Sequence, residues 1–417
     1  MILFRVALRS LLSRRITVAL TIFTIALSVA LLLGVEKVRV GARTSFADTI
    51  SNTDLIVGAR SGGVQLLLYS VFRIGNATNN VSWISYQDIV NRPEVEWAVP
   101  ISLGDSHRGF RVMGTTDEYF QRYRYRGDRL LEFAQGGPFD DLFDAVIGAD
   151  VARELDYSLD DPIVIAHGLA SFSEHDNHPF RVAGILEKTG TPVDRTVIVS
   201  LEAIEAIHVD WQGGAQTPGR STSADKLRLM DLTPKAITAV MLGVNSKLQI
   251  FQLMRAINEY NQEPLLAILP GVALQELWEI VGVAETALAG VSAMVVLTAL
   301  LGMMAMIFSG LNERRREMAI MRSIGARPST VFTLLMFEAM AMTLSGVILG
   351  IGMLYTILWI VRPIIDAKFG LYLPIDTIDS REWKLLGVII LTGALVSIAP
   401  AIRAYRLSLA DGMSIRM

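Results

Sequence analysis

All five histidines of this chain (His107, His167, His175, His178 and His208) lie between residues 36 and 285, and three of them crowd the stretch 167–178, HGLASFSEHDNH. Imidazole nitrogens and carboxylate oxygens are the ligands of a zinc site that uses no sulfur, and Glu174 and Asp176 supply carboxylates beside the histidines. His175 and His178 are close enough in sequence to share one ion, with His167 returning to it from a preceding strand. The candidate metal is therefore zinc, on His167, His175 and His178. The competing reading is a solvated acidic loop in which the histidines are incidental. His107, beside Asp105 and Arg108, is expected on a surface hairpin. With no cysteine in the chain there is no disulfide framework, thiolate nucleophile or cysteine-ligated metal.

Other chemistry finds little support. The glycine-rich piece GARSGG at 58–63 lacks the G-x-x-x-x-G-K-[ST] pattern that cradles nucleotide phosphates, so it is read as a turn. Residues 189–195, TGTPVDR, are turn-forming throughout and are read as a turn between strands. No serine–histidine–aspartate constellation or supported carboxylate pair emerges, and enzyme chemistry within this chain is not expected. A formal net charge of −3 gives no reason to expect a nucleic-acid partner.

A different kind of site is written at 312–327, NERRREMAIMRSIGAR, between two long uncharged runs. Met318, Met321 and Ile324 recur every three residues, with arginines and Glu317 on other faces, as in a short amphipathic helix at a membrane surface. Such a helix can be gripped by a soluble partner and receive force from it. Glu338, inside the following apolar run, is expected to snorkel or to pair with a basic residue. Gly346, Gly350 and Gly352 place small residues where helices pack closely in lipid, within one bundle or across a dimer.

These sites need a membrane scaffold. The chain of 417 residues is 52% hydrophobic and 19% charged, the balance of a membrane protein with a large water-exposed part. Four runs meet the roughly 20 apolar residues of a span. They lie at 16–35, 286–311, 328–361 and 385–402. The first is too long for a signal-peptide core and continues as helix without a cleavage site. Arginines 5, 9, 14 and 15 precede the first span, the loop 312–327 follows the second, and Arg403, Arg406 and Arg416 follow the fourth. The positive-inside bias places all three sets, and both termini, in the cytoplasm. The division expected is a cytoplasmic N-terminus and first span (1–35), an extracytoplasmic domain (36–285), the second span (286–311), a cytoplasmic coupling loop (312–327), the third span (328–361), a short outer loop (362–384), the fourth span (385–402) and a cytoplasmic tail (403–417).

The outer segment reads as a mixed α+β domain inserted between the first and second membrane helices. Helical spacing at Val38, Ala42, Phe46 and Ile50, and at Leu274, Leu277, Trp278, Val281 and Leu288, predicts stalks that prolong the membrane helices. Short β-branched runs predict strands at 54–57, 98–103, 109–114, 144–147, 162–166, 180–186, 196–200 and 239–244. Helices are predicted at 149–155, 201–208 and 246–261, the last capped by Ser246, and residues 213–226 read as a polar loop.

At this point the chain resembles the FtsX/MacB-like permease family of ABC transporters. The resemblance rests on the order of spans and outer domain, on ERRREMAIMRSIGA at 313–326 and on PAIRAYRLSLADGMSIR at 400–416. Glu338 is also similar to a position often acidic in that family. The resemblance implies a multi-pass inner-membrane protein that pairs with a second permease copy or a related permease. It implies a cytoplasmic ABC ATPase dimer as a separate partner, which carries ATP and magnesium. Glu313, Arg314, Arg315, Arg316, Glu317, Met318, Met321, Arg322 and Gly325 would then form the ATPase-coupling segment, and motion rather than solute would cross the membrane. Membrane lipid surrounds the spans. A periplasmic adaptor, a lipoprotein or a substrate-binding protein are further partners the resemblance admits. The cargo is expected to be a lipoprotein, peptide, small molecule or metal-linked species. The alternative is a complex that transports nothing and activates an outer partner such as a cell-wall hydrolase.

Overall fold

A computed structural model describes residues 11, 14–168, 178–212, 215–217, 222–313, 318, 320, 321, 323, 325–369 and 377–406. The chain divides into two compact units. One comprises residues 1–41, 282–363 and 374–417, the other residues 42–281 and 364–373.

The first unit is a helical bundle. Four helices, Arg15–Asp48, Pro270–Glu313, Pro328–Phe369 and Ser380–Arg406, carry the four apolar runs, and each is long and apolar enough to cross a bilayer. One face of each turns inward. Ile25, Val29 and Leu33 meet Leu300, Met303, Ile307, Leu335, Ala339, Met342, Leu386 and Ile389 in a single core. The outward faces stay apolar too: Leu20, Phe23, Leu27, Val291, Met294, Ile348, Trp359, Val388 and Leu391 are all exposed. A helix apolar on every side needs lipid around it. Hydroxyls inside the spans are satisfied locally. Thr21, Ser28, Ser292 and Thr343 each donate to the carbonyl four residues back, at 2.7–2.9 Å.

The second unit is built on one mixed sheet. Its strands are β1 (Leu55–Ala59), β2 (Val95–His107), β3 (Phe110–Thr115), β4 (Phe133–Gly136), β5 (Asp144–Ile147), β6 (Pro162–Ile163), β7 (Ala166–His167), β8 (Phe180–Leu186), β9 (Thr196–Ser200), β10 (Ala239–Val244) and β11 (Leu265–Ile268). The order is β11-β1-β10-β2-β3-β9-β5-β8-β4, with β7 on β2 and β6 on β8. Most neighbours are antiparallel, while β3 with β9 and β5 with β8 run parallel. The long strand β2 holds the sheet together, pairing β10 through Val95–Ile101 and β3 through Ser102–His107.

Helices Ala149–Leu155 and Leu201–His208 cover one face, burying Val151, Ala203 and Ile207 against Val112, Ile147 and Val197. Ser200 starts the second of these helices by accepting from Ala203 N at 3.1 Å. Tyr119, Phe120, Tyr123 and Phe139 pack with Met113, Val146 and Ile198 in a separate core. Phe46 and Ile50 pack with Leu274, Leu277 and Trp278 around helix Gly63–Ser70, whereas Val38, Val281 and Leu288 of the same expected spacing are exposed.

Three local expectations are corrected. Gly58 lies inside β1, paired with Ala239 and Leu266, where a Cβ would sit 2.6 Å from Leu66 Cδ1, and the turn is confined to residues 60–62. The helix expected at 246–261 is a 3₁₀ turn, Lys247–Gln249, followed by Ile250–Asn258, and the Ser246 side chain makes no cap bond. The loop expected at 213–226 holds part of a strand pair, Trp211–Gln212 with Ala215–Gln216, and the start of helix Ala224–Leu227.

Candidate functional site

At one end of the bundle the helix termini are marked by arginine. Arg14 Nη2 donates to Gly310 O at 3.4 Å, and the Arg403 guanidinium lies 5.6 Å from the Phe308 ring centre. The other end is an ion-pair network: Glu36 with Arg39 (2.7 Å) and Arg381 (3.0 Å), and Lys37 with Glu382 (3.3 Å). Residues 14 and 36 are separated by about 33 Å of helix at 1.5 Å per residue. That matches a hydrocarbon core of about 30 Å.

The segment between the second and third helices begins at the arginine end. Met318, Ile320, Met321 and Ser323 are helical. Met318 is only 6% exposed, and Met321 packs beside it on the bundle core, while Ile320 is 53% exposed. The helix stops at Gly325, whose φ of +98° is left-handed, with Ala326 N donating to Met321 O at 3.0 Å. That pattern is the Schellman close of a helix, and it favours glycine. Arg314, Arg315, Arg316, Glu317 and Arg322 lie outside the described residues, as does the side chain of Glu313.

Gly346 and Gly350 face the first helix. A Cβ at Gly346 would lie 2.5 Å from Ile25 Cγ2, and one at Gly350 would lie 2.7 Å from Ala26 O. Gly352 meets nothing within 4 Å and so does not share that contact face. Glu338 is buried, which corrects the expectation of snorkelling: its helix turns it into the bundle.

In the second unit a histidine cluster forms from three separate elements. Asp105 sits on β2, directly opposite His167 on β7, and His208 ends helix Leu201–His208. Asp105 Oδ1 is 3.3 Å from His167 Nδ1 and 3.8 Å from His208 Nε2, and the two nitrogens are 3.1 Å apart. The carboxylate beside it raises the His167 pKa above the ordinary imidazole value. The register between β2 and β3 shifts between Leu103 and Ser106, and that irregularity brackets Asp105.

Of the histidines expected to act together, the structure thus brings His167 to Asp105 and His208. His178 instead stacks on Phe143, with ring centres 5.4 Å apart, and burial lowers its pKa. His175 lies outside the described residues. His107 is corrected. The β2–β3 hairpin exists and turns at Arg108 and Gly109, but His107 itself is buried, with Nδ1 2.6 Å from Val164 O and Nε2 2.9 Å from Tyr157 Oη. Sequence reasoning missed Asp105 and His208 as cluster members. The local signal for His208 is that it ends a predicted helix; Asp105 falls between the predicted strands 98–103 and 109–114 and carries none.

Residues 189–195 form a closely bonded turn. Asp194, fully buried, accepts from Thr189 N (2.8 Å), Thr189 Oγ1 (2.8 Å) and Gly190 N (2.7 Å). The Tyr123 hydroxyl, close to Thr191, donates to Thr49 O at 2.8 Å.

Comparison with known proteins gives two family matches. Residues 18–260 match the MacB-like periplasmic core domain, and residues 289–409 match the FtsX-like permease C-terminal region. No curated protein matches the chain in sequence. Among solved structures, the periplasmic region of MacB from Actinobacillus actinomycetemcomitans is similar at 10% identity, over 55% of this chain and 94% of that one, with a TM-score of 0.33. The extracellular domain of YknZ, a noncanonic ABC-type transporter from Gram-positive bacteria, is similar at 13% identity, over 52% of this chain and 100% of that one, with a TM-score of 0.31.

Proposed function

The chain belongs to the family of FtsX-like permeases with a MacB-like periplasmic core domain, and from that membership we propose that it is the permease subunit of an ABC complex whose ATPase is a separate cytoplasmic dimer. Its task is to pass ATP-driven motion to the extracytoplasmic domain, where a lipoprotein, peptide, small molecule or metal-linked cargo is handled. Both termini and the arginine end of the bundle face the cytoplasm, in keeping with the positive-inside bias. Two such chains, or this chain and a related permease, stand over the ATPase dimer.

The observation that carries this reading is the seating of the helical residues Met318, Ile320 and Met321. Met318 and Met321 are lodged against the bundle core while Ile320 projects outward. A partner that grips the outer face therefore moves a helix already keyed into the bundle. A solute path through one copy has little support. The buried polar groups of the described spans are hydroxyls bonded to their own helices, plus Glu338.

Affinity purification of the full chain from its native membrane, with partners identified by mass spectrometry, tests the proposal. An ATPase with Walker and ABC signature motifs is expected to co-purify with the wild-type chain. Ile320→Asp places a charge in the gripped face and is expected to weaken retention by about 30-fold, the effect of losing one interface hot spot. Purification without any such ATPase, or retention unchanged in the variant while the chain still elutes as a folded species, would overturn the reading.

A further inference from the structure

We propose that Asp105, His167 and His208 form a site for a zinc-class divalent cation, with a fourth coordination position left open. The geometry is the first argument. A tetrahedral ion bound at about 2.0–2.1 Å holds its ligand atoms about 3.3–3.4 Å apart. The three candidate atoms, Asp105 Oδ1, His167 Nδ1 and His208 Nε2, are separated by 3.1, 3.3 and 3.8 Å. They converge on one point from a strand, its antiparallel neighbour and a helix end.

The second argument is the state of Asp105. Its residue is 4% exposed, and Oδ1 finds no hydrogen-bond donor in line among the described residues. A buried carboxylate oxygen left in that state destabilises the fold. A cation at the point of convergence removes that cost.

The third argument is the outer shell. His208 Nδ1 lies 2.7 Å from Ile204 O, and a carbonyl only accepts, so Nδ1 carries the proton and Nε2 turns its lone pair toward the cluster. Histidines that bind metals are commonly oriented in this way by a backbone carbonyl. The C-terminal end of helix Leu201–His208 also favours a positive charge beside it.

Ligand type narrows the ion. Two imidazoles and one carboxylate suit zinc and its neighbours. Magnesium and calcium prefer all-oxygen shells, and copper(I) prefers sulfur. The side chains of His167 and His208 are 45% and 28% exposed, so an ion can enter from solvent. Three protein ligands with an open position belong to a site that can exchange water or a second molecule, unlike a closed four-ligand structural site.

The test uses the full chain in detergent, stripped with a chelator and titrated with zinc chloride against a chromophoric competitor. Cobalt(II) serves as a spectroscopic stand-in. One zinc per chain is expected, unaffected by excess magnesium, and the cobalt form should show the intense visible bands of a four-coordinate ion. His208→Gln and Asp105→Asn are each expected to weaken binding by about 100-fold or more, at least the loss seen when an outer-shell partner is removed. His167→Ala, at a half-exposed position, supplies the same test if either of those variants misfolds. His178→Ala is expected to bind as the wild type does. No stoichiometric zinc, or binding lost in His178→Ala yet intact in His208→Gln and His167→Ala, would overturn the site. Because no ATPase takes part, the result is independent of the coupling reading.

Discussion

Gly346→Leu combined with Gly350→Leu is expected to force the first long helix away from the third. At Gly350 the obstacle is backbone, Ala26 O at 2.7 Å from the new Cβ, and at Gly346 it is the β-branched Ile25 at 2.5 Å. Neither can yield by a simple rotamer change. Overpacking costs about 1–3 kcal/mol per site, so the pair should cost roughly 2–6 kcal/mol. Close approach through small residues is a main source of helix association in lipid, where burial from water supplies no drive. The chain has no cysteine, so an introduced pair reports without background. A Cβ at Gly34 would lie 3.4 Å from Leu354 Cδ1, so the two positions face each other, and Gly34→Cys with Leu354→Cys should be bridged within one chain by a short bifunctional thiol reagent. In the double leucine variant that cross-link is expected to fall severalfold, while Gly352→Leu, whose Cβ meets open space, leaves it intact. An unchanged cross-link in the double variant would refute the helix contact. Cross-linked dimers in the parent would show that the face serves a second copy.

Asp194→Ala should produce the other large effect, on the outer domain. Three donors, two backbone N–H groups and the Thr189 hydroxyl, converge on this carboxylate in a buried turn. Each buried donor left unsatisfied costs about 1–3 kcal/mol, so losing all three should cost about 3–9 kcal/mol. The loss should spread through Thr191 and Tyr123 to Thr49, just past the end of the first long helix. Thermal unfolding followed by near-ultraviolet circular dichroism checks this, and a midpoint unchanged from wild type would refute it. A pH dependence follows as well. Burial, the largest influence, pushes the Asp194 carboxyl above its ordinary value of 3.8, against the donors that pull it down. A group whose folded pKa is raised stabilises fully below its unfolded pKa, and that contribution fades as pH rises through the folded pKa. Asp194→Asn should lose this acid-side gain, so the stability gap between it and wild type should narrow or reverse as pH rises from the ordinary carboxylate range through the raised folded value.

What sequence alone determined is set by local physics. A bilayer demands about 20 apolar residues per helix, so the four spans were legible as runs. Strands 144–147, 180–186, 196–200 and 239–244 were legible to the residue as short runs rich in β-branched and other apolar residues, and helices 149–155 and 201–208 as apolar spacing that begins after Gly148 and Ser200. Helix Gly63–Ser70 and strand β11 were not legible. GVQLLLYS is apolar on several faces, and LLAI has a single β-branched residue to mark it as a strand.

Only the tertiary structure decided the sites. Gly346 and Gly350 could be read as small residues, but which helix they admit depends on the bundle. Asp105, His167 and His208 are far apart in sequence and carry no common motif. They meet because β7 pairs with β2 at His167 and Asp105, and because the helix after β9 ends beside that pair. Residues 167–178 drew attention to neighbours in the chain, whereas a ligand set is chosen by neighbours in space. Periodicity reports which face of an element is buried; it holds no record of which other element that face will meet.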